Sequence, residues 1–158
     1  KENLTMFDLD RIDFKLLELL QRNGKLTTKE IAQKVNLSST PVYERIKRLE
    51  REGIIKKYVA LVESEKVGKG LTVFCDIILK EHNKEIGHKF VQEIMSLKYV
   101  CECYNISGDY DFRLKVVVSN MKHYQDFLLN DLGSVKNIGS TQSTFVMGVI
   151  KHDYAVPI

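Results

Sequence analysis

Thr-Thr-Lys-Glu-Ile-Ala-Gln-Lys-Val-Asn-Leu-Ser-Ser-Thr-Pro-Val-Tyr-Glu-Arg-Ile-Lys-Arg-Leu-Glu-Arg-Glu-Gly-Ile-Ile, residues 27–55, carries the signals for two short helices and a tight break between them. Thr27-Thr28-Lys29-Glu30 is a capping-box pattern, in which a hydroxyl accepts an amide of the first turn and the glutamate reaches back. Ile31, Ala32 and Val35 then share one helical face. Asn36-Leu37-Ser38 breaks the run, and asparagine tolerates the left-handed backbone that a sharp inter-helix turn requires. The hydroxyls of Ser38-Ser39-Thr40 are expected to cap the next helix. Pro41 fits its first turn, where a missing N–H costs nothing. Val42, Ile46 and Leu49 form the inward face, and Gly53 before Ile54-Ile55 predicts a Schellman-type stop.

Upstream, Ile12, Leu16, Leu19 and Leu20 fall at helical spacing, with Asp10 as N-cap and Gly24 where a helix commonly ends. Three short helices over 10–53, with the middle connection tightest, predict a helix-turn-helix. Such a motif lays its second helix in the major groove, with the N-terminal residues of that helix meeting base edges. With the inward positions removed, Ser39, Thr40, Tyr43, Glu44, Lys47, Arg48 and Arg51 are left facing outward. Ser38 and Pro41 at the start and Arg45 among the cations complete the expected DNA-contacting set. Charge agrees with a polyanion partner. Residues 1–60 hold 13 Lys+Arg against 9 Asp+Glu, whereas 61–158 hold 11 against 12, so the basic excess of the +3 chain lies entirely in the first third. One helix alone binds DNA weakly, which predicts a dimer presenting two such helices to double-stranded DNA.

Residues 55–62 read as a strand leaving this domain, and 63–70, with two glycines, as a hinge. Beyond it the pattern predicts a strand near 71–80, a helix near 85–97 and a strand near 99–107. A turn, a strand near 111–118, a helix near 120–132 and a strand near 138–150 follow. Strand-helix-strand twice over is the ferredoxin-like plait, making the chain α+β. The expected domains are 1–54 for the helix-turn-helix, 55–70 for hinge strand and linker, and 71–158 for the plait. An open sheet leaves one face without helices. That face, with alternating residues such as Phe112 and Leu114, is expected to be buried by a second copy.

The turn Gly108-Asp109-Tyr110-Asp111 joins two of these strands and reads first as a hairpin. Other classes lack their signatures. His82, His88, His123 and His152 are scattered without triad or ligand spacing. Cys75, Cys101 and Cys103 lack a metal or redox pattern and read as buried thiols, with Cys101 and Cys103 pointing to one face. No P-loop or dinucleotide fingerprint occurs, so neither enzyme activity nor a cofactor or metal is expected. No apolar run can span a bilayer and the start carries no signal-peptide pattern, which predicts a cytoplasmic protein without a membrane partner.

The signature Leu-x-x-x-Asn-Gly-Lys-x-Thr (19–27), continued by Glu-Ile-Ala-x-x-Val-Asn-Leu-Ser-x-Thr-Pro-Val-x-x-Arg-Ile-Lys-Arg-Leu-Glu (30–50), resembles the Lrp/AsnC, or feast/famine, regulators. Ser-Gly-Asp-Tyr-Asp-Phe (107–112) and the block 121–132 resemble that family's regulatory domain. The resemblance implies a winged helix-turn-helix, a hinge strand, a plait, and dimers assembling further, to octamers among other rings. It also implies an amino-acid effector between subunits, bordered by turn 108–111, where Asp111 could hold the α-ammonium and free turn amides the α-carboxylate, and by Thr141 and Ser143 of the last strand. Asn36 departs from the family's usual glycine, but both tolerate the same backbone. Block 121–132 resembles the leucine-responsive branch, which favours an apolar amino acid. The alternative is an architectural DNA-binding protein that needs no effector.

Overall fold

The computed structural model describes residues 8–158. They form two compact units: one runs to Leu61 and takes in Lys151–Ile158, and the other is Val62–Ile150.

The first unit contains α1 (Arg11–Arg22), α2 (Thr28–Val35) and α3 (Ser39–Arg51). Local chemistry starts each of the first two. Asp10 accepts the Asp13 amide at 2.9 Å while the Asp13 carboxylate takes the Asp10 amide at 3.1 Å. Thr27 and Glu30 close the same reciprocal box at the head of α2, the Thr27 amide donating at 2.7 Å. Asn36 adopts φ 56°, and the Asn36 and Leu37 amides both donate back to the Ala32 carbonyl, Leu37 at 3.0 Å, so the chain reverses with both donors paired. Gly53, at φ 73°, ends α3 as expected. Leu16, Ile31, Ala32, Val42 and Ile46 interlock as the core, the side chains larger than alanine each contributing about 1.5–3 kcal/mol by leaving water.

Two local expectations change. Ser38 makes no side-chain capping bond to α3. Gly24 follows the end of α1 as expected, and its place is set by close approach, since a Cβ there would lie 3.2 Å from the Tyr58 ring. Segment 55–62, expected as a strand, joins no ladder among the described residues, and Tyr58, Val59, Leu61 and Val62 are exposed. Its apolar residues are strand-like, but a strand needs a pairing partner as well as a composition.

By its contacts the segment Lys151–Ile158 groups with the first unit. The Gln21 side-chain amide donates to the Val156 carbonyl at 3.1 Å and accepts the Val156 amide at 2.6 Å. It pairs with the segment as a neighbouring backbone would.

The second unit is the βαββαβ plait: β1 (Leu71–Leu79), α4 (Lys84–Met95), β2 (Val100–Asn105), β3 (Phe112–Val118), α5 (Met121–Asp126) and β4 (Ile138–Phe145). The strands lie in the order β2-β3-β1-β4 and every neighbouring pair is antiparallel. Asn83 and Asn120 cap α4 and α5. The expected long last helix is α5 extended by a π-helical turn over Phe127–Asp131 and a 3-10 turn over Leu132–Ser134.

The register reverses one expectation. Phe112, Leu114, Val116 and Val118 are buried with Val73, Cys75, Ile77, Phe90, Ile94, Tyr124 and Phe127, so theirs is the helix-covered face. The open face carries Phe74, Asp76, Arg113, Lys115 and Gln142, which pair in register on the opposite side of the pleat. There the Arg113 guanidinium lies over Asp76 with two bonds of 2.6 and 2.8 Å. Of the cysteines only Cys75 is buried; Cys101 and Cys103 are exposed on β2, an edge strand with a register shift between Val100 and Glu102.

Candidate functional sites

The exposed side of α3 begins with its first turn. Ser38, Ser39 and Thr40 are exposed and their hydroxyls are bonded to nothing among the described residues, while Pro41 is half-buried behind them. Because no side chain caps this end, the first-turn amides keep their donor capacity, and the helix dipole adds a positive potential there. Tyr43, Glu44, Lys47 and Arg51 continue the exposed stripe. The Lys47 ammonium sits 5.7 Å from the centre of the Tyr43 ring and 2.8 Å from Glu50, which holds the ammonium pKa above its ordinary value. Tyr58 donates to Glu50 at 3.1 Å, and partial desolvation of its exposed ring first, that bond second, push its phenol up to about 12.

Arg45 and Arg48 are placed differently from the rest of the expected set. Arg45 Nη1 lies 2.8 Å from Asp13 Oδ1 and 2.7 Å from Asp10, and Arg48 Nη2 bonds the other Asp13 oxygen. Asp13 is fully buried. Both guanidiniums therefore turn toward α1 instead of joining the outward stripe. Helical spacing puts position 48 near the exposed side, but a long side chain goes where its partner is, and that partner is 35 residues away.

The turn 108–111 is built from its far end. Asp111 donates its amide to the Ile77 carbonyl at 2.9 Å and accepts the Ile106 amide on its own carbonyl at 3.0 Å. Its carboxylate accepts the Leu79 amide at 2.7 Å and meets His82 Nε2 at 2.9 and 3.0 Å. The Leu79 bond is the main reason its carboxyl sits below the ordinary range. The carboxylate thus clamps the turn to the end of β1. Gly108, at φ 125°, and Asp109 and Tyr110 donate their amides to no group among the described residues. Tyr110 donates its hydroxyl to Gln142, on the open face. Thr141 and Ser143 stand on the other face, opposite Ile77 and Cys75, with the Ser143 hydroxyl 2.6 Å from that of Tyr124. Asp111, His82, Asn83, Asn105 and Phe112 line a cleft of about 330 Å³.

Sequence reasoning missed His82 and Gln142. Gln142 carried a usable signal, lying between Thr141 and Ser143 and so on the opposite side of the strand. His82 carried none, because its approach to Asp111 depends on where β1 ends.

A helix-turn-helix joined to a ligand-binding plait defines a class, and family comparison agrees over nearly the whole chain. Residues 9–56 match the winged helix-turn-helix DNA-binding family, and residues 72–156 match the Lrp/AsnC ligand binding domain. The chain belongs to the Lrp/AsnC family of DNA-binding transcription regulators. Among its relatives is the DNA-binding transcriptional activator DecR of Escherichia coli K12. It is 39% identical over 150 residues, which cover 95% of this chain and 99% of DecR. The leucine-responsive regulatory protein of the same organism is 35% identical over 91% of this chain and 88% of its own. A transcriptional regulator of Neisseria meningitidis, solved as its L-Met complex, superposes with a TM-score of 0.89 at 34% identity, covering 94% of this chain and 96% of that one.

Proposed function

We propose that this regulator holds double-stranded DNA on the N-terminal half of α3 and an amino acid at the turn 108–111. The observation that carries the first part is the uncapped first turn of α3, where three exposed hydroxyls and the free amides converge. Hydroxyls and amides there suit phosphates and base edges, and Tyr43, Glu44, Lys47 and Arg51 extend the contact along the groove. For the effector, the amides of Gly108, Asp109 and Tyr110 suit an α-carboxylate. The L-Met complex of the Neisseria protein supports an amino acid as the ligand. Asp111 holds the turn in shape, so the α-ammonium goes to another acceptor.

The protein works as a homodimer joined through the open face of its sheet, assembling further into octamers. In support, Phe74 and Ile78 on that face are half-buried, and Met147 and Ile150 beyond β4 are almost fully exposed. The reading places it in the cytoplasm, with no chemistry of its own to perform. No helix among the described residues is long and apolar enough to cross a membrane.

Selection from randomised duplexes, with and without each proteinogenic amino acid, tests this. Enrichment of a two-fold motif, with half-sites about 34 Å or a multiple apart, is expected, altered by at least one amino acid. No enriched motif would sink the DNA reading. A motif indifferent to every amino acid would favour the architectural alternative.

A further inference from the structure

Three of the four cations on α3 are already committed to carboxylates. Lys47 is held by Glu50, and Arg45 and Arg48 converge on one fully buried carboxylate, that of Asp13. Arg51 alone has no carboxylate partner among the described residues. The cluster of Asp10, Asp13, Arg45 and Arg48 is neutral overall. Its geometry is also closed: Arg48 Nε is buried with no partner among the described residues, so no phosphate reaches that edge while the guanidinium stays on Asp13. Arg45 is tied at two carboxylates, 2.7 and 2.8 Å away.

We infer that Asp13 is a specificity-determining positioning residue, which withholds the Arg45 and Arg48 guanidiniums from the DNA backbone and fixes the hydroxyl-rich turn of α3 as the reading surface. The inference rests on the DNA reading of α3 given above. Its physical basis is the division of labour in DNA recognition. Phosphate contacts raise affinity for every sequence alike, whereas base contacts separate one sequence from another. Two guanidiniums free on a groove-facing helix would find phosphates on any duplex. Held by Asp13, they orient α3 against α1 and add nothing to indiscriminate binding. A buried carboxylate that accepts two arginines and the Asp10 amide has little freedom to do otherwise.

The test is the salt dependence of binding by the full chain to a mixed-sequence duplex long enough for two half-sites. Each additional phosphate contact steepens the log–log slope by about 0.9, which amounts to about 3.5-fold in affinity for every fourfold change in salt. Asp13→Asn is expected to steepen the slope by one to two such increments and to raise low-salt affinity for the mixed sequence. A slope that is unchanged or shallower, in a variant with wild-type circular dichroism, overturns the inference, since a purely structural role frees no cation. Should Asp13→Asn fail to fold, the apolar triple variant Asp13→Leu, Arg45→Met, Arg48→Met supplies the answer. Removal of Asp13 together with both of its arginines should leave the slope at its wild-type value, and a slope shallower by about two increments overturns the inference. Failure of the wild-type chain to bind any duplex would remove the underlying reading of α3 instead.

Discussion

Replacing Asp111 by alanine removes the clamp between the turn 108–111 and the end of β1. The carboxylate accepts the Leu79 amide at 2.7 Å, and Leu79 is only 6% exposed. Truncation leaves that amide without an acceptor where water has poor access, a loss of about 1–3 kcal/mol. We take about 2 kcal/mol, because the bond is charge-assisted while the carboxylate itself is partly solvated. For a urea slope of about 2 kcal/mol per M, the unfolding midpoint of the plait should fall by about 1 M. Asp111→Asn keeps an acceptor oxygen and should lose less than half as much. The difference between wild type and Asp111→Ala also depends on pH. The folded chain holds this carboxyl below its ordinary value of 3.8, so the stabilisation is fully present above that pH. It is lost as the pH falls through the lower folded value. Urea titrations followed by circular dichroism at neutral pH and below pH 3.8 measure both effects. An alanine variant whose neutral-pH midpoint matches wild type would refute the clamp and return Asp111 to the role of ammonium receptor.

Asn36→Val should destabilise the first unit by about 1–2 kcal/mol, since φ 56° suits few L residues, whereas Asn36→Gly should be nearly neutral by thermal unfolding. Gly139→Ala would bring a Cβ to 3.1 Å from the Ile78 carbonyl and 3.3 Å from the Leu79 and Lys80 backbone, at an overpacking cost of about 1–3 kcal/mol. Tyr124→Phe removes the hydroxyl pair with Ser143 and should lower stability by about 0.5–1.5 kcal/mol in denaturant titrations, without affecting DNA binding. Arg51→Gln should weaken binding to all duplexes alike and make the salt slope shallower by about 0.9; sequence-dependent loss would assign it to base contact instead.

The parts of the fold that were legible in the sequence are those whose chemistry is local. Asp10, Thr27 with Glu30, Asn36 and Gly53 act within a few residues of themselves, and each does what its neighbours in the chain predict. The order of strands and helices in the plait was legible for the same reason. What alternation could not reveal is which face of the sheet the helices cover. Phe112 and Leu114 were expected to await a second copy and lie instead beneath α4 and α5, because period two separates faces without naming them. The side chains that steer the candidate sites were hidden by distance. Asp13 meets Arg45 across 32 positions and Asp111 meets His82 across 29. Segment 55–62 failed as a strand for a related reason, since pairing is a property of two segments and its composition describes only one.

The Gln21–Val156 pairing bears on how the chain is made. During synthesis α1, α2 and α3 leave the ribosome first, followed by the uninterrupted stretch 62–150, and only then by residues 151–158. A contiguous unit can be complete as it emerges, but one stitched from two distant segments is completed only when the later segment arrives. The unit that carries the helix-turn-helix is therefore completed last, after the ligand-binding unit has had time to form, although its helices are the first to be translated.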